Sequence, residues 1–327
     1  MEYDIDVKES IIKEKWPGIL EILLLDRTTN KNIFWATDVY EKQYNSRLFA
    51  FKSPITIDLI TQKGDRVIRP RITKTKKEQQ YRIKDKAEVF TPAWMCNKQN
   101  NMIDNDWFGY EGVFNKENDD NTWVATKKHI VFPKGKTWVD YVRELRLEIT
   151  CGEAPYLASR YDITSGQKIS LKNRIGLLDR KIRVINENVT SDSEWMTMVK
   201  WAFKSTYGYE WQGDNLLLAR ENMLLTFVDY YIDRFKKDPD LDLLKEIAEI
   251  ISWNIWQMDG IRGVLPSSCC NSKYIDLFGE HTMDCCIGCK TGNINNHNGE
   301  YCYIRDWSKV TSAGEPVKVK YISLLKE

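Results

Sequence analysis

Three residues with the chemistry to hold a nucleoside cofactor follow three strand-like stretches of this 327-residue sequence. Gly152 lies within LEITCGEAPYL, Glu210 ends STYGYE, and Asp259 ends NIWQMD. A cofactor with an adenosine needs a close backbone approach at a glycine turn, an acid for its ribose hydroxyls and a polar group near its adenine. The three residues occur in that order, although each one alone is more often a plain turn or a solvated acid.

A second set of residues with chemistry is the cysteine-rich segment near the end of the sequence. Six of the eight cysteines lie within the last fifth of the chain, and Cys286-x-x-Cys289 encloses Gly288, as expected of a zinc-binding knuckle. Four sulfur ligands would leave no open position for water, so such a zinc site would be structural. Buried free thiols are the alternative. The predicted ligands are Cys270, Cys286, Cys289 and Cys302, with Cys269 and His297 as replacements.

The elements that would position the first set alternate between strands and helices. LEIT is predicted as a buried strand that runs into Cys151-Gly152, and STYGYEW and SWNIWQMDG as the second and third strands. Helices are predicted at ASRYD, DNLLLARENMLLTFVDYYIDRF and LDLLKEIAEII, and the polar stretch at 163–193 is interpreted as an insertion. Three strand–helix units in succession predict an α/β fold with a Rossmann-like, doubly wound sheet.

The regions on either side of these units have different patterns. ILEILLLD and NIFWATDVY, which flank the turn-forming TTNKN, predict strands joined by hairpins, so residues 1–86 are expected to be β-rich. Residues 63–86 hold ten Lys or Arg against three acids, which indicates either a solvated helix face or a phosphate-contacting surface. The predicted division is a β-rich, basic region at 1–86, a Rossmann-like domain at 87–265, and a zinc-ribbon-like segment with a terminal strand at 266–327.

Composition indicates a folded protein and favours no particular partner. Hydrophobic residues make up 42% of the chain and aromatic residues 12%, which excludes a disordered scaffold. Because 48 Lys and Arg balance 47 Asp and Glu, nucleic-acid binding would need local clustering of charge. The polar start MEYDIDVKES lacks a signal-peptide pattern and no apolar run has the length of a membrane span, so we expect a cytoplasmic protein without a membrane partner.

Four stretches taken together resemble a known family. Phe90-Thr91-Pro92, LEITCGEAPYL, YGYEWQGDNLLLAREN and NIWQMD are similar to successive cofactor-binding motifs of the amino-methylating, N6-adenine type DNA methyltransferases. Their arrangement resembles that of the modification subunits of restriction–modification systems, over roughly residues 87–260. The resemblance implies that S-adenosylmethionine is the cofactor and DNA the substrate.

The resemblance also implies a role for each matching residue. Thr91 and Pro92 would contact the methionine end of the cofactor, and Asp259 would bind the adenine amine. Glu210 would accept hydrogen bonds from the ribose hydroxyls, and Trp211 belongs to the same motif. The loop after the first strand would be lined by Glu148, Cys151, Gly152 and Ala154.

The catalytic half of the family's active site is missing from the sequence. The family orients the target amine and stacks the flipped base with Asn/Asp/Ser-Pro-Pro-aromatic, but this chain has no Pro-Pro. VKVKYISLL at 317–325 is predicted as a fourth strand, and the 68 residues after Asp259 (327 minus 259) are too few for the rest of a methyltransferase sheet. We therefore expect a partner subunit to carry the catalytic motif. The alternative is a catalytically inactive, methyltransferase-like DNA-binding or defence-complex protein, while a nuclease ranks last because no convincing acid–lysine cluster is present.

Overall fold

The computed structural model describes residues 4–61, 66–86, 88–270, 272–276, 279–283 and 285–325. Its helices are α1 (Glu9–Lys15), α2 (Ile19–Leu24), α3 (Val39–Tyr44), α4 (Ile57–Ile60), α5 (Lys76–Lys86), α6 (Ala93–Phe108), α7 (Trp138–Arg143), α8 (Leu177–Asn188), α9 (Asp192–Lys204), α10 (Gly213–Phe235), α11 (Leu241–Asn254) and α12 (Ile287–Thr291). Its strands are β1 (Leu25–Asp26), β2 (Lys31–Asn32), β3 (Asn115–Glu117), β4 (Trp123–Ala125), β5 (Arg146–Glu148), β6 (Thr206–Glu210), β7 (Ile255–Gln257), β8 (Ser272–Asp276), β9 (Gly279–Met283), β10 (Tyr303–Val310) and β11 (Pro316–Lys320).

The centre of the fold is a parallel sheet of three strands in the order β5-β6-β7. Leu147 lies opposite Tyr207 across the first pair, and Tyr209 lies opposite Trp256 across the second. Every residue of β6 is buried, as expected for a strand covered on both faces of a parallel sheet. The helices α8 and α9 connect β5 to β6, and α10 and α11 connect β6 to β7. The three strands therefore follow the predicted order in a mixed α/β arrangement.

The N-terminal region is mainly helical, which corrects the prediction of a β-rich segment at 1–86. ILEILL forms α2, whose buried side chains face α11. A short apolar run such as ILEILL is compatible with either a buried strand or a buried helix. Here the run forms a helix that packs against α11. The strands β1 and β2 form a small hairpin around the predicted TTNKN turn. The fully buried residues of α2 are Ile19, Leu20, Leu23 and Leu24.

One hydrophobic core joins the N-terminal helices to the helices that cover the sheet. Its buried members run from Ile12 in α1 to Ile255 in β7 and include the large rings of Trp195, Phe203 and Phe227. Residues before and after position 86 therefore share the same core. Among the helices in the described part of the chain, none combines the length and the apolar character that crossing a membrane requires.

The polar stretch at 163–193 contains the buried helix α8, whereas ASRYD, predicted as a helix, has no helical residue. Because α8 contains several charged residues, its sequence does not indicate that the helix lies in the core. Arg180 is 1% exposed and donates a hydrogen bond to Asp104 Oδ2 at 2.7 Å. Lys181 is equally buried, and its ammonium group donates to two backbone carbonyl oxygens at 2.6 and 3.1 Å. Because these charges are satisfied inside the protein, hydrophobic spacing alone does not reveal the helix.

The C-terminal hairpin of β10 and β11 covers one face of the parallel sheet. Tyr207, Tyr209 and Trp256 pack against it in a second, smaller core. The predicted fourth strand at 317–325 corresponds to β11 and a following 3-10 turn, and β11 pairs antiparallel with β10. A tight turn in which the Gly314 N–H donates to Thr311 O returns β11 onto β10, so it does not extend the parallel sheet.

The outer edge of β5 carries no strand in the ranges that the structure describes, since β5 pairs with β6 alone. Leu147 in β5 and the flanking Leu145 and Ile149, alternate residues that point to one face of the sheet, are 43%, 69% and 63% exposed. Parallel sheets are normally covered on both faces, and an exposed apolar edge strand favours pairing with another segment. A further strand could extend the sheet at this edge.

Candidate functional site

Two adjoining cavities lie at the carboxyl edge of the parallel sheet, where open α/β sheets bind ligands. The β5 cavity, about 390 Å³, is lined by Thr91 and Glu148 among others, and the β6 cavity, about 350 Å³, by Glu210 and Trp211. Four residues line both cavities, so one ligand could extend from one cavity into the other. The shared residues are Val89, Phe90, Thr150 and Gly152.

The loop after β5 forms the floor between the two cavities. Thr150, Gly152 and Ala154 have positive φ angles of 47°, 54° and 62°, which fold the loop back over the end of β6. The Cys151 N–H donates to Tyr209 O at 2.8 Å, which fixes the loop to that strand. Cys151 lines the β5 cavity, whereas Ala154 is fully buried and lines neither cavity.

Glu210 and Trp211 form one wall of the β6 cavity. The Glu210 carboxylate accepts hydrogen bonds from the N–H groups of Gly152 at 2.9 Å and Gln212 at 3.0 Å. Burial nevertheless raises the pKa of Glu210 to about 7. The indole N–H of Trp211 donates to Ala36 O at 3.0 Å, which holds the ring in place. An acid and a fixed aromatic ring thus lie side by side at the end of β6.

Glu148 supplies the acid of the β5 cavity. One carboxyl oxygen accepts from the Tyr156 N–H at 3.4 Å, and the other is buried without a hydrogen-bond partner among the described residues. Burial, with a smaller contribution from the charge of Glu210, raises the pKa of Glu148 well above its ordinary value. A buried carboxyl oxygen without a partner suits a cationic or hydrogen-bond-donating ligand group.

The Phe90-Thr91-Pro92 motif reaches both cavities from the start of α6. Pro92 occupies the N-cap position and α6 begins at Ala93. The cap is supplied by Asp162, whose carboxylate accepts from the Ala93 N–H at 2.9 Å. Thr91 lines the β5 cavity, and a Cβ placed on Gly152 would contact the Phe90 ring at 3.7 Å. Pro92 lines neither cavity.

A polar group of side chains that sequence reasoning missed closes the far end of the β6 cavity. Glu88, Gln212 and Asn215 line it, and the Arg82 guanidinium behind them donates to Glu88 and Gln212 at 2.9 and 3.1 Å. The Asn215 Nδ2 group donates to Glu88 Oε1 at 2.6 Å, while its Oδ1 atom is buried without a hydrogen-bond partner among the described residues. In the sequence, Arg82 is one of several cations in a basic stretch. No local pattern connects it to Gln212 and Asp214, which lie more than a hundred positions later.

The basic stretch at 63–86 is not a single exposed face. Lys63 lies outside the described residues. Lys74 and Arg82 are buried, and their side-chain nitrogens lie 3.8 and 2.5 Å from Asp214 Oδ2. These two side chains therefore lie in the interior beside Asp214, while Lys76, Lys77 and Lys84 of α5 are exposed.

Asp259, the predicted adenine contact, lies in a turn just after β7. Its carboxylate accepts from the N–H groups of Ile261 and Arg262 at 3.1 and 3.2 Å, and pairs with the Arg262 guanidinium at 2.9 Å. Asp259 is 4% exposed and lines neither cavity. The structure therefore does not bring it together with Gly152 and Glu210 at the cavities.

The cysteine-rich segment forms a possible metal centre from Cys269, Cys286, Cys289 and His297, whose ligand atoms all lie within 4.8 Å of one another. His297 Nδ1 lies 3.7, 3.4 and 3.6 Å from the three sulfur atoms in that order. A tetrahedral zinc ion with ordinary bond lengths would place nitrogen and sulfur ligands about 3.5 Å apart. Gly288 is required in the knuckle, because a Cβ there would lie 2.6 Å from the His297 backbone nitrogen.

Two of the four predicted metal ligands lie outside this group. Cys270 is exposed and only its backbone is fixed, through the side-chain amide of Asn298. Cys302 is buried at the end of the parallel sheet, where its thiol donates to Gln257 O at 3.4 Å. The two replacements, Cys269 and His297, take their places. Sequence spacing alone does not show whether Cys269 or Cys270 is the ligand, because the two are adjacent. It also does not show whether His297 or Cys302, five positions apart, is the ligand.

The chain was also compared with known proteins. No protein-family model, no curated protein and no solved structure matches it. Its function is therefore argued from the residues of the two cavities and of the metal centre.

Proposed function

We propose that this chain binds S-adenosylmethionine and serves as the cofactor-binding subunit of a DNA (adenine-N6) methyltransferase in a restriction–modification system. Three separately predicted motifs line the two adjoining cavities, and their convergence carries the proposal. They are represented by Thr91, Gly152 and Glu210, which are far apart in the sequence. Gly152 and Glu210 follow neighbouring parallel strands, whose carboxyl ends share one edge in any such sheet, so the specific support is that Thr91, at the start of α6, also lines these cavities.

The chemistry of the lining fits the parts of this cofactor. Glu210 can accept hydrogen bonds from the ribose hydroxyls, and the fixed Trp211 ring can stack on a base. In the β5 cavity, the unpaired carboxyl oxygen of Glu148 can accept from the ammonium group of the methionine end, with Thr91 nearby. When bound there, S-adenosylmethionine would supply an electrophilic methyl group on its sulfonium.

Calorimetric titration of the full chain with S-adenosylmethionine tests this assignment. Trp211→Ala removes the stacking ring and is expected to weaken binding about 10-fold or more, since base–aromatic stacking contributes about 1–3 kcal/mol. Trp123→Ala, on the β3–β4 hairpin away from both cavities, is the matched control and should bind as the wild type does. Absence of binding by the wild type, or equal losses in the two variants, would contradict the proposal.

A partner polypeptide with an Asn/Asp/Ser-Pro-Pro-aromatic motif would complete the active site. The open edge of β5 supports this part of the proposal, because among the described residues its backbone pairs with β6 alone, and side chains of an added parallel strand could pack beside the exposed Leu145 and Ile149. Such a strand would place the partner's motif beside the two cavities, at the same carboxyl edge.

Affinity capture from native cells, with sequencing of the bound polypeptide, tests the partner. The captured polypeptide is expected to contain the motif. The Leu145→Lys variant of this chain is expected not to capture it. Val310→Lys, at an equally exposed position on β10, is the control and should retain it. A partner that lacks the motif, or one that both variants retain, would refute this placement.

Zinc is the ion we assign to the metal centre, in a structural role. Three sulfur ligands and one imidazole nitrogen are a common zinc set and leave no position for a reacting water. Metal analysis of the purified chain should give about one zinc per chain. Cys269→Ser is expected to lose the metal and Cys270→Ser to keep it, and the reverse result would restore Cys270 as the ligand predicted from spacing.

A further inference from the structure

We propose that the side-chain amide of Asn215, and not the carboxylate of Asp259, recognises the adenine amine of the bound cofactor. This inference rests on the proposed S-adenosylmethionine site. It assigns an adenine-binding role to a residue in the first turn of α10, which neither the motif pattern nor the charge pattern of the sequence singles out.

The position of Asn215 follows the order of groups along the β6 cavity. Gly152 and Glu210 lie where the cavity meets the β5 loop, and Trp211 follows Glu210 along the wall. Asn215 lies four positions after Trp211, in the first turn of α10, and lines the same cavity. A nucleoside whose ribose contacts Glu210 and whose base stacks on Trp211 would therefore direct the edge of its base towards Asn215.

The Asn215 amide is held in one orientation by a buried network. Its Nδ2 group donates to Glu88 Oε1 at 2.6 Å, and Glu88 is itself fixed by two hydrogen bonds from Arg82 Nε at 3.1 and 2.9 Å. This arrangement leaves Oδ1 as the free acceptor, and Asn215 is only 1% exposed. A buried acceptor without a partner costs free energy unless a ligand supplies a donor.

Adenine supplies such a donor, and an asparagine amide is a well-suited partner for it. The exocyclic N6 amine donates a hydrogen bond, which the Oδ1 atom of an asparagine accepts. A base with an oxygen at this position, such as hypoxanthine, would instead place an acceptor against the Asn215 Oδ1 atom. The site should therefore discriminate strongly between these two bases.

Asp259 lacks a free acceptor in the cavity. Both of its carboxyl oxygens are engaged within its own turn, by backbone N–H groups and by the Arg262 guanidinium. It lies outside the residues that line either cavity. A contact with adenine would require the Asp259 carboxylate, which is 4% exposed, to reach the cavities from outside their lining.

The decisive measurement compares S-adenosylhomocysteine with S-inosylhomocysteine, in which the N6 amine is replaced by oxygen. Calorimetry on the full wild-type chain should show at least about 10-fold tighter binding of the adenosine compound. In Asn215→Ala the preference should fall below about 3-fold, because only the adenosine compound loses a hydrogen bond. Asp259→Ala should keep the wild-type preference. Since each preference is a ratio within one protein, a general loss of affinity cancels.

The experiment distinguishes failure of the proposed S-adenosylmethionine site from failure of the proposed role of Asn215. If the wild type binds neither compound, the cofactor site itself is wrong and the role of Asn215 is overturned with it. If the wild type binds and Asn215→Ala retains its preference, the cofactor site stands and the role of Asn215 is overturned. A preference lost in Asp259→Ala but kept in Asn215→Ala would return the adenine contact to Asp259. Asn215→Ser, which keeps a small polar side chain, repeats the test if the alanine variant does not fold.

Discussion

Glu210 is expected to make the folded protein less stable as the pH rises towards neutrality. It is 7% exposed at the end of β6, and burial raises its pKa from the ordinary value of 4.5 to about 7. The hydrogen bonds from the Gly152 and Gln212 N–H groups favour the ionised carboxylate but do not offset the loss of hydration.

The size and sign of the effect follow from the two pKa values. In the unfolded chain the carboxyl group releases its proton near pH 4.5, and in the folded chain near pH 7. Between these values the folded state holds more protons, so the free energy of unfolding falls as the pH rises and levels off above about pH 7. A difference of about 2.5 pKa units, at about 1.36 kcal/mol each, amounts to about 3 kcal/mol.

Urea unfolding followed by tryptophan fluorescence at pH 4.5 and pH 8 measures this effect in the wild type and in Glu210→Gln. The variant removes the titrating group at nearly constant size. Its stability relative to the wild type should increase by about 3 kcal/mol between the two pH values. Because the charge of Glu210 contributes to the raised pKa of Glu148, both proteins also carry Glu148→Gln, whereas Glu153, whose pKa is raised by burial, titrates in both and cancels. Glu21→Gln, at an exposed position of α2, is the control and should show no such increase.

A stability difference that stays constant with pH to within about 0.5 kcal/mol would refute the assignment of this raised pKa to Glu210. The same titration bears on the proposed cofactor. Ribose hydroxyls donate hydrogen bonds more strongly to a carboxylate than to a carboxylic acid, so S-adenosylmethionine should bind more tightly at pH 8 than at pH 6. In Glu210→Gln this dependence on pH should disappear.

Three further changes test other parts of the molecule. Gly288→Ala would place a Cβ against the His297 backbone, and zinc affinity measured against a chromophoric chelator should fall about 10-fold or more. Arg82→Met would leave the buried Asp214 without its nearest cation, and the free energy of unfolding in urea should fall by about 3–5 kcal/mol. Reversing the charge of the exposed lysines of α5 should reduce the slope of log affinity for DNA against log salt by about 2 to 3, and an unchanged slope would exclude α5 as the DNA surface. These lysines are Lys76, Lys77 and Lys84.

The parallel strands and the long helices could be predicted from the sequence because their signals are local. The strands at 206–210 and 255–257 are short stretches rich in aromatic and β-branched residues, and α10 and α11 show helical spacing over many residues. The metal knuckle is local in the same sense, since two of its ligands and Gly288 lie within four consecutive positions. Such features need no knowledge of what packs against them.

The features that were missed depend on side-chain contacts, most of them between distant positions. Whether α2 forms a helix or a strand is decided by its packing on α11, more than two hundred residues later. Lys74 and Arg82 resemble solvated charges until Asp214 is placed beside them. Asp259 matches the expected motif in position, but the Arg262 side chain three residues later occupies its carboxylate. A motif match identifies a candidate residue, but it does not show which other side chain that residue pairs with in the folded protein.

The metal centre and the cofactor cavities are expected to work independently. The two cavities are lined by residues no later in the chain than Asn215, whereas the metal ligands begin at Cys269. The cysteine-rich segment is tied to the end of β7 instead, through the Cys302 thiol on Gln257 O and the Cys302 N–H on Gly263 O. Removal of zinc by a chelator should therefore loosen this segment, seen as faster hydrogen exchange after residue 266.

The affinity for S-adenosylhomocysteine should change less than about 3-fold under the same treatment, because no metal ligand reaches the cavities. Cys270→Ser treated with the chelator should behave as the treated wild type, and untreated Cys289→Ser should already show the faster exchange. A large loss of affinity on chelation would mean that the metal segment orders the cavities through β7, and that its role extends beyond holding its own fold.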